Sequence, residues 1–179
     1  MEAPFKSLAV ANKFIELSNA QGGNLTLMKL LKVIYFAHGW HLALKKSPLI
    51  DDAVEAWKFG PVAPCIYHSF KEFGGKPITD FGKEAALQND EVIYVKPVLE
   101  GDAFLDAFME KIWGTYGSMT AFQLSELTHQ PGTPWHKVWF EMGGSLRKGM
   151  DIPDHLIAQY FTGRLKADKA ENEHAERPA

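Results

Sequence analysis

Large apolar residues recur three and four positions apart along most of the chain, and the stretches are separated by short breaks rich in Gly, Pro, Asn and Asp. That is the pattern of amphipathic helices joined by turns. Val10, Phe14 and Leu17 place a first helix behind Ser7, whose hydroxyl is positioned as a cap, and the Gly22-Gly23 pair ends it. Thr26 is the expected cap of a second helix reaching about Lys45. There the pattern changes. Leu27, Leu30, Leu31, Ile34, Tyr35 and Leu42 fill one face, while Val33, Phe36, Ala37, Trp40 and Leu44 fill much of the other. A helix apolar nearly all round is predicted to lie at the centre of a fold, covered by its neighbours.

Pro48 stops this helix, and Val54-Glu55-Ala56-Trp57 alternates as an extended segment before Gly60-Pro61. Pro61 or Pro64 can open a third helix carrying Ile66, Tyr67, Phe70 and Phe73, closed by Gly74-Gly75. Residues 76–101 are heavily punctuated, with Glu91 to Val98 the best candidate for a second strand. Asp102 is placed to cap a helix through Phe104, Leu105, Phe108, Ile112 and Trp113. Two short helices, Ala121 to Thr128 and Trp135 to Met142, flank Gln130-Pro131-Gly132-Thr133-Pro134, and Pro153 begins a last helix with Ile152, Leu156, Ile157, Tyr160 and Phe161. The expected architecture is mainly α (α+β): a compact helical domain around a central hydrophobic helix, with a small two-stranded β element. One domain spans 1–165, and the charged stretch 166–179, poor in large apolar groups, is expected to fray.

Composition narrows the function. The 179 residues suffice for one core. A formal net charge of −3 offers phosphate backbones no general attraction, so nucleic acid is disfavoured. No stretch approaches the roughly 20 apolar residues of a membrane span, and the first residues lack a signal-peptide plan, which points to the cytoplasm. Cys65 is the one cysteine; it suits a reducing compartment and reads as a small buried hydrophobe.

Candidate chemistry is sparse. His38 and His41, three apart on one helix, lack the further ligands of a zinc site and read as structural. His129 and His136, with Ser125, Glu126 and Thr128, flank the Pro-Gly-Thr-Pro break, yet no nucleophile elbow or phosphate loop accompanies them. A capped helix–turn–helix corner accounts for the same residues. The reading is a binding protein rather than an enzyme, with no cofactor and no metal. Lys29 and Lys32, with Lys45 and Lys46, leave two readings open: solvated heads beyond buried stems, or a patch that meets an acidic partner.

The run Leu27-Met28-Lys29-Leu30-Leu31-Lys32-Val33-Ile34-Tyr35-Phe36-Ala37-His38-Gly39-Trp40-His41-Leu42, then Ser47-Pro48-Leu49 and Glu55-Ala56-Trp57-Lys58-Phe59-Gly60-Pro61-Val62, resembles the signature of the SocA-like (Panacea) antitoxin family, also labelled phage-associated GepA-like proteins. Leu124-Ser125-Glu126-Leu127-Thr128-His129 with Pro134-Trp135 is similar to that family's second block, and the likeness spans about Leu25 to Phe161. The resemblance implies an antitoxin of a toxin–antitoxin system that neutralises a cognate toxin by direct protein–protein binding. It also implies an alternative, a proteolytic adaptor that delivers the toxin to a Clp-type protease; a phage-associated regulator of a host protein is a further reading. Lys29, Lys32, Tyr67, His129 and Trp135 are the expected partner contacts, having polar or aromatic ends suited to anchoring. Tyr35, Trp57, Gly60 and Pro61 are the expected structural positions.

Overall fold

A computed structural model of the chain describes residues 3–175, with side chains through Glu171. Helix α1, Ser7–Asn19, turns Leu8, Val10, Phe14 and Ile15 into the interior. Its cap differs from the sequence expectation. Ser7 is the first helical residue, not the cap, and its backbone N–H and hydroxyl both donate to Asp51 Oδ1 at 2.8 Å. A carboxylate distant in sequence thus satisfies the free amide at the helix start and faces the positive end of the helix dipole.

Helix α2, Leu27–Lys45, is the central helix that its pattern predicts. It contacts α1, three later helices and, most extensively, the last one. Thr26 precedes it in extended conformation, but the Thr26 side chain makes no capping bond; an isolated bridge with Pro77 fixes its backbone instead. Lys46 ends the helix in the left-handed conformation, its N–H returned to the Leu42 carbonyl. Strands β1 (Glu55–Trp57) and β2 (Gly60–Val62) form a tight hairpin before α3, Pro64–Phe70. The predicted two-stranded element is a separate hairpin of β3 (Glu84–Gln88) and β4 (Glu91–Val95), turned by Asn89 and Asp90, both at positive φ.

Helix α4, Ala103–Tyr116, is capped by Asp102 as expected, through the Leu105 N–H at 3.0 Å. Helix α5, Ala121–His129, carries a capping box between Thr120 and Gln123. Helix α6, Pro134–His136, widens into a π turn over Lys137–Glu141. Strand β5, Met150–Asp151, then pairs with β1 and makes a sheet of order β2-β1-β5. This second, three-stranded sheet goes beyond the β content expected, because β5 is too short to carry a periodic signal. Helix α7, Asp154–Ala175, lies along α2. It takes in much of the stretch expected to fray, and residues 176–179 lie outside the described residues.

The α2–α7 contact depends on an absent side chain. A Cβ on Gly39 would lie 2.2 Å from the Phe161 ring, and that ring sits edge-on to Tyr35, Phe36 and Trp40, its centroid 5.1–6.2 Å from theirs. His38, 1% exposed, is buried as expected; its Nε2 lies 3.0 Å from Asp154 Oδ1 and pins the start of α7 to α2. Cys65 departs from expectation. It is exposed on α3, and partial burial together with the neighbouring Asp52 and Asp51 carboxylates pushes its thiol above its ordinary value.

Candidate functional site

Most of the side chains singled out in the sequence converge on one corner, where the β1–β2 hairpin meets α2, α5 and α6. Lys32 reaches it from α2. Its amine donates to the Pro61 carbonyl at 3.1 Å, the residue is 1% exposed, and burial pushes its pKa down to about 7. Lys32 is therefore neither a solvated head nor a surface patch, and both readings of it give way. The hairpin can approach this amine because residue 60 is glycine. Gly60 has φ +105, and a Cβ there would lie 2.6 Å from Lys32 Cε and 3.0 Å from Thr128 Oγ1.

Helix α5 closes the corner from the other side. The Ser125 hydroxyl donates to the Phe59 carbonyl at 3.2 Å. Thr128, buried beside Lys32, donates back to the Ser125 carbonyl at 2.8 Å. His129 Nδ1 lies 2.6 Å from that same carbonyl, which requires the proton on Nδ1. Thr133 caps α6 through the His136 N–H and donates to the Thr128 carbonyl at 2.7 Å, tying the two helices across the break. This is the capped helix–turn–helix corner expected from the sequence.

Trp135 joins the halves. It is 1% exposed, its indole N–H donates to the Trp57 carbonyl at 2.8 Å, and its ring centroid lies 3.8 Å from that of His129. Trp57 in turn stands edge-on to Tyr67 at 4.7 Å and donates to Glu55 Oε2 at 2.6 Å. The structure thus brings together Lys32, Trp57, Gly60, Pro61, His129 and Trp135, with Tyr67 attached through Trp57. It does not bring Lys29 or Tyr35 there. Lys29 is 6% exposed, bonded to the Gly117 carbonyl and held over the Trp113 ring at 5.4 Å, so it too is not a surface cation. Burial lowers its pKa. Tyr35 lies among Phe36 and Phe161, its hydroxyl without a partner among the described residues, and burial, helped by Tyr160, raises its pKa.

Within the corner, donors meet backbone carbonyls, so these polar groups are spent on holding the hairpin and helices in place. What faces outward was not read from the sequence: Phe59, Phe122 and Phe140 are exposed around the corner's rim. Apolar periodicity marks large rings as interior, and no sequence signal separated these three from the buried aromatics. Beside them, Met119, Gln123, Glu126, Leu127, His129 and Gln130 line an open depression of about 560 Å³ on the outer side of α5. Among the described residues no three His, Cys, Asp or Glu side chains are grouped to hold a metal ion, and no helix is long and apolar enough to cross a membrane.

The family model described as Antitoxin SocA-like, Panacea domain, matches residues 30–136, a segment that begins just before Lys32 and ends just after Trp135. The chain belongs to this family. It is also 34% identical over 153 residues to Antitoxin SocA of Caulobacter vibrioides (strain NA1000 / CB15N), covering 86% of this chain and 80% of that protein. No solved structure gives a significant match. The Panacea match holds the whole corner from Lys32 to Trp135, so the family's shared segment coincides with the hydrogen-bonded junction described above.

Proposed function

We propose that this Panacea-domain chain is an antitoxin that binds its toxin directly and holds it inactive. Similarity to Antitoxin SocA over most of both chains supports the antitoxin role. The structural observation that carries direct binding is the rim of the corner. Phe59, Phe122 and Phe140 are 63%, 70% and 62% exposed on a scaffold whose interior is closed by hydrogen bonds. Large rings held rigidly at a surface lose little freedom on association and anchor protein interfaces.

The test is co-expression with the product of the neighbouring reading frame. Expression of that product alone is expected to arrest growth, expression with this chain to restore it, and the purified pair to co-elute in a defined ratio. Growth restored with no complex formed, or no restoration at all, would sink the reading. Delivery to a Clp-type protease is a separate outcome of the same contact: the toxin's level would then fall in cells holding the protease and persist in cells without it.

A further inference from the structure

No residue of the β3–β4 hairpin is fully buried, yet its root is firmly held. Asn12, 1% exposed on α1, donates its amide to the Gly82 and Pro97 carbonyls, both at 3.0 Å, and accepts from the Gly82 N–H at 2.8 Å. One buried side chain thereby clamps both legs where they leave the body. Two ion pairs fasten the foot further: the Lys6 amine on Glu84, and the Lys96 amine 2.6 Å from Glu16 Oε1. An isolated two-stranded hairpin is marginal in water, so this one is a surface feature that the body holds in a fixed position.

The register sorts its side chains into two faces. The pairs Ala85↔Tyr94 and Leu87↔Val92 lie on one, and Glu84, Ala86, Ile93 and Val95 on the other. The second face is half-buried; the first looks outward, with Leu87, Val92 and Tyr94 exposed at 78%, 64% and 72%. A sheet face turned to water is ordinarily polar. These four positions carry no charge, and the charges stand at the two ends instead. At the tip Asp90 and Glu91 are exposed, and at the foot so is Lys83; among the described residues none of the three forms an ion pair. Glu84 and Lys96 are spent on Lys6 and Glu16, and Asp80 and Glu100 lie outside the loop that the Gly82–Pro97 clamp closes. The hairpin is thus apolar in the middle, acidic at the tip and basic at the foot.

We propose that a second copy of this chain covers this face, the two hairpins packed face to face with the tip of each over the foot of the other. A two-fold contact requires a patch to complement itself, and this patch does. Apolar centre meets apolar centre, while Asp90 and Glu91 of each copy meet Lys83 of the other. The alternative two-fold, tip against tip, gathers four carboxylates at one end and is repelled. Closing Ala85, Leu87, Val92 and Tyr94 in both copies removes roughly 1,000 Å² from water, the lower limit for a specific interface, so the dimer is a reversible one. The inference does not rest on the antitoxin reading, and it leaves the corner and its rim untouched.

Sedimentation velocity on the whole chain, over a hundredfold range of protein concentration up to about 1 mM, should show the mass rising from 20.1 kDa toward twice that value. Leu87→Ser and Tyr94→Ser, both at exposed positions, should each weaken self-association at least tenfold while leaving the melt of the dilute protein unchanged. Lys83→Glu should weaken it at least threefold, and about 0.5 M salt should erase that difference by screening the repulsion. The unaltered chain supplies the geometry. In a mixture of isotope-labelled and unlabelled protein, nuclear Overhauser contacts between copies should join the Val92 methyls to the Tyr94 ring. A chain that stays monomeric throughout, a dimer indifferent to these substitutions, or intermolecular contacts that join Val92 to Leu87 or lie off the hairpin would overturn the proposal.

Discussion

Burial of the Lys32 amine makes folding sensitive to pH. In the folded chain the group titrates at about 7, whereas its ordinary value is 10.5. Between the two, the unfolded chain holds a proton that the folded chain has released, so raising the pH favours folding; the gain is absent below 7 and complete above 10.5. From pH 7 to pH 9 the native chain should gain about 2 kcal/mol relative to Lys32→Met, at no more than about 1.4 kcal/mol per pH unit. Urea melts followed by circular dichroism at pH 7, 8 and 9 would show it, and parallel curves for the two proteins would refute it. The sequence placed Lys32 on a largely apolar helix but could not reveal its burial. The carbonyl it bonds lies on a hairpin 29 residues onward, and only glycine at position 60 lets that hairpin come close.

Between elements, the α2–α7 contact has a similarly specific origin. Alanine at position 39 would be driven into the Phe161 ring, a ring already boxed by Tyr35, Phe36 and Trp40. Gly39→Ala should therefore destabilise the protein by about 1–3 kcal/mol despite alanine's better helix propensity. Gly114 supplies the contrast. It lies within α4 and nothing stands within 4 Å of its added Cβ, so Gly114→Ala should stabilise by up to about 1 kcal/mol. Paired thermal melts decide both, and equal effects at the two glycines would refute the packing account. Helices with regular apolar spacing were legible because the signal is local, and so was the Asp102 cap, three residues from its amide. The Asp51 cap on α1 was not, because donor and acceptor are 44 residues apart and meet only in the fold. The two residues of β5 gain their strand character from β1 and could not have shown it alone.

Across the whole molecule, burial thins toward the last described side chains. Phe161 is the last buried residue among those whose side chains are described, and residues 166–171 are all exposed. A chain ending at Leu165 should keep its stability within about 0.5 kcal/mol. A larger loss, measured by urea denaturation, would show that the end of α7 supports the domain. Of the residues singled out in the sequence, Lys32, Trp57, Gly60, Pro61, His129 and Trp135 meet at the junction, a convergence the sequence reading did not foresee. The sequence reads Trp57, Gly60 and Pro61 as structural positions, but Lys32 and Trp135 as partner contacts, because a signature marks positions without marking depth. Lys32 and Trp135 are interior, and the exposed rings beside them follow no spacing rule. Strand β1 sits between β2, which covers Lys32, and β5, which follows the π turn. A partner seated on the rim at Phe59 and Phe140 is therefore expected to slow hydrogen exchange in the β1 ladder, so the corner's interior becomes a reporter of events at its rim.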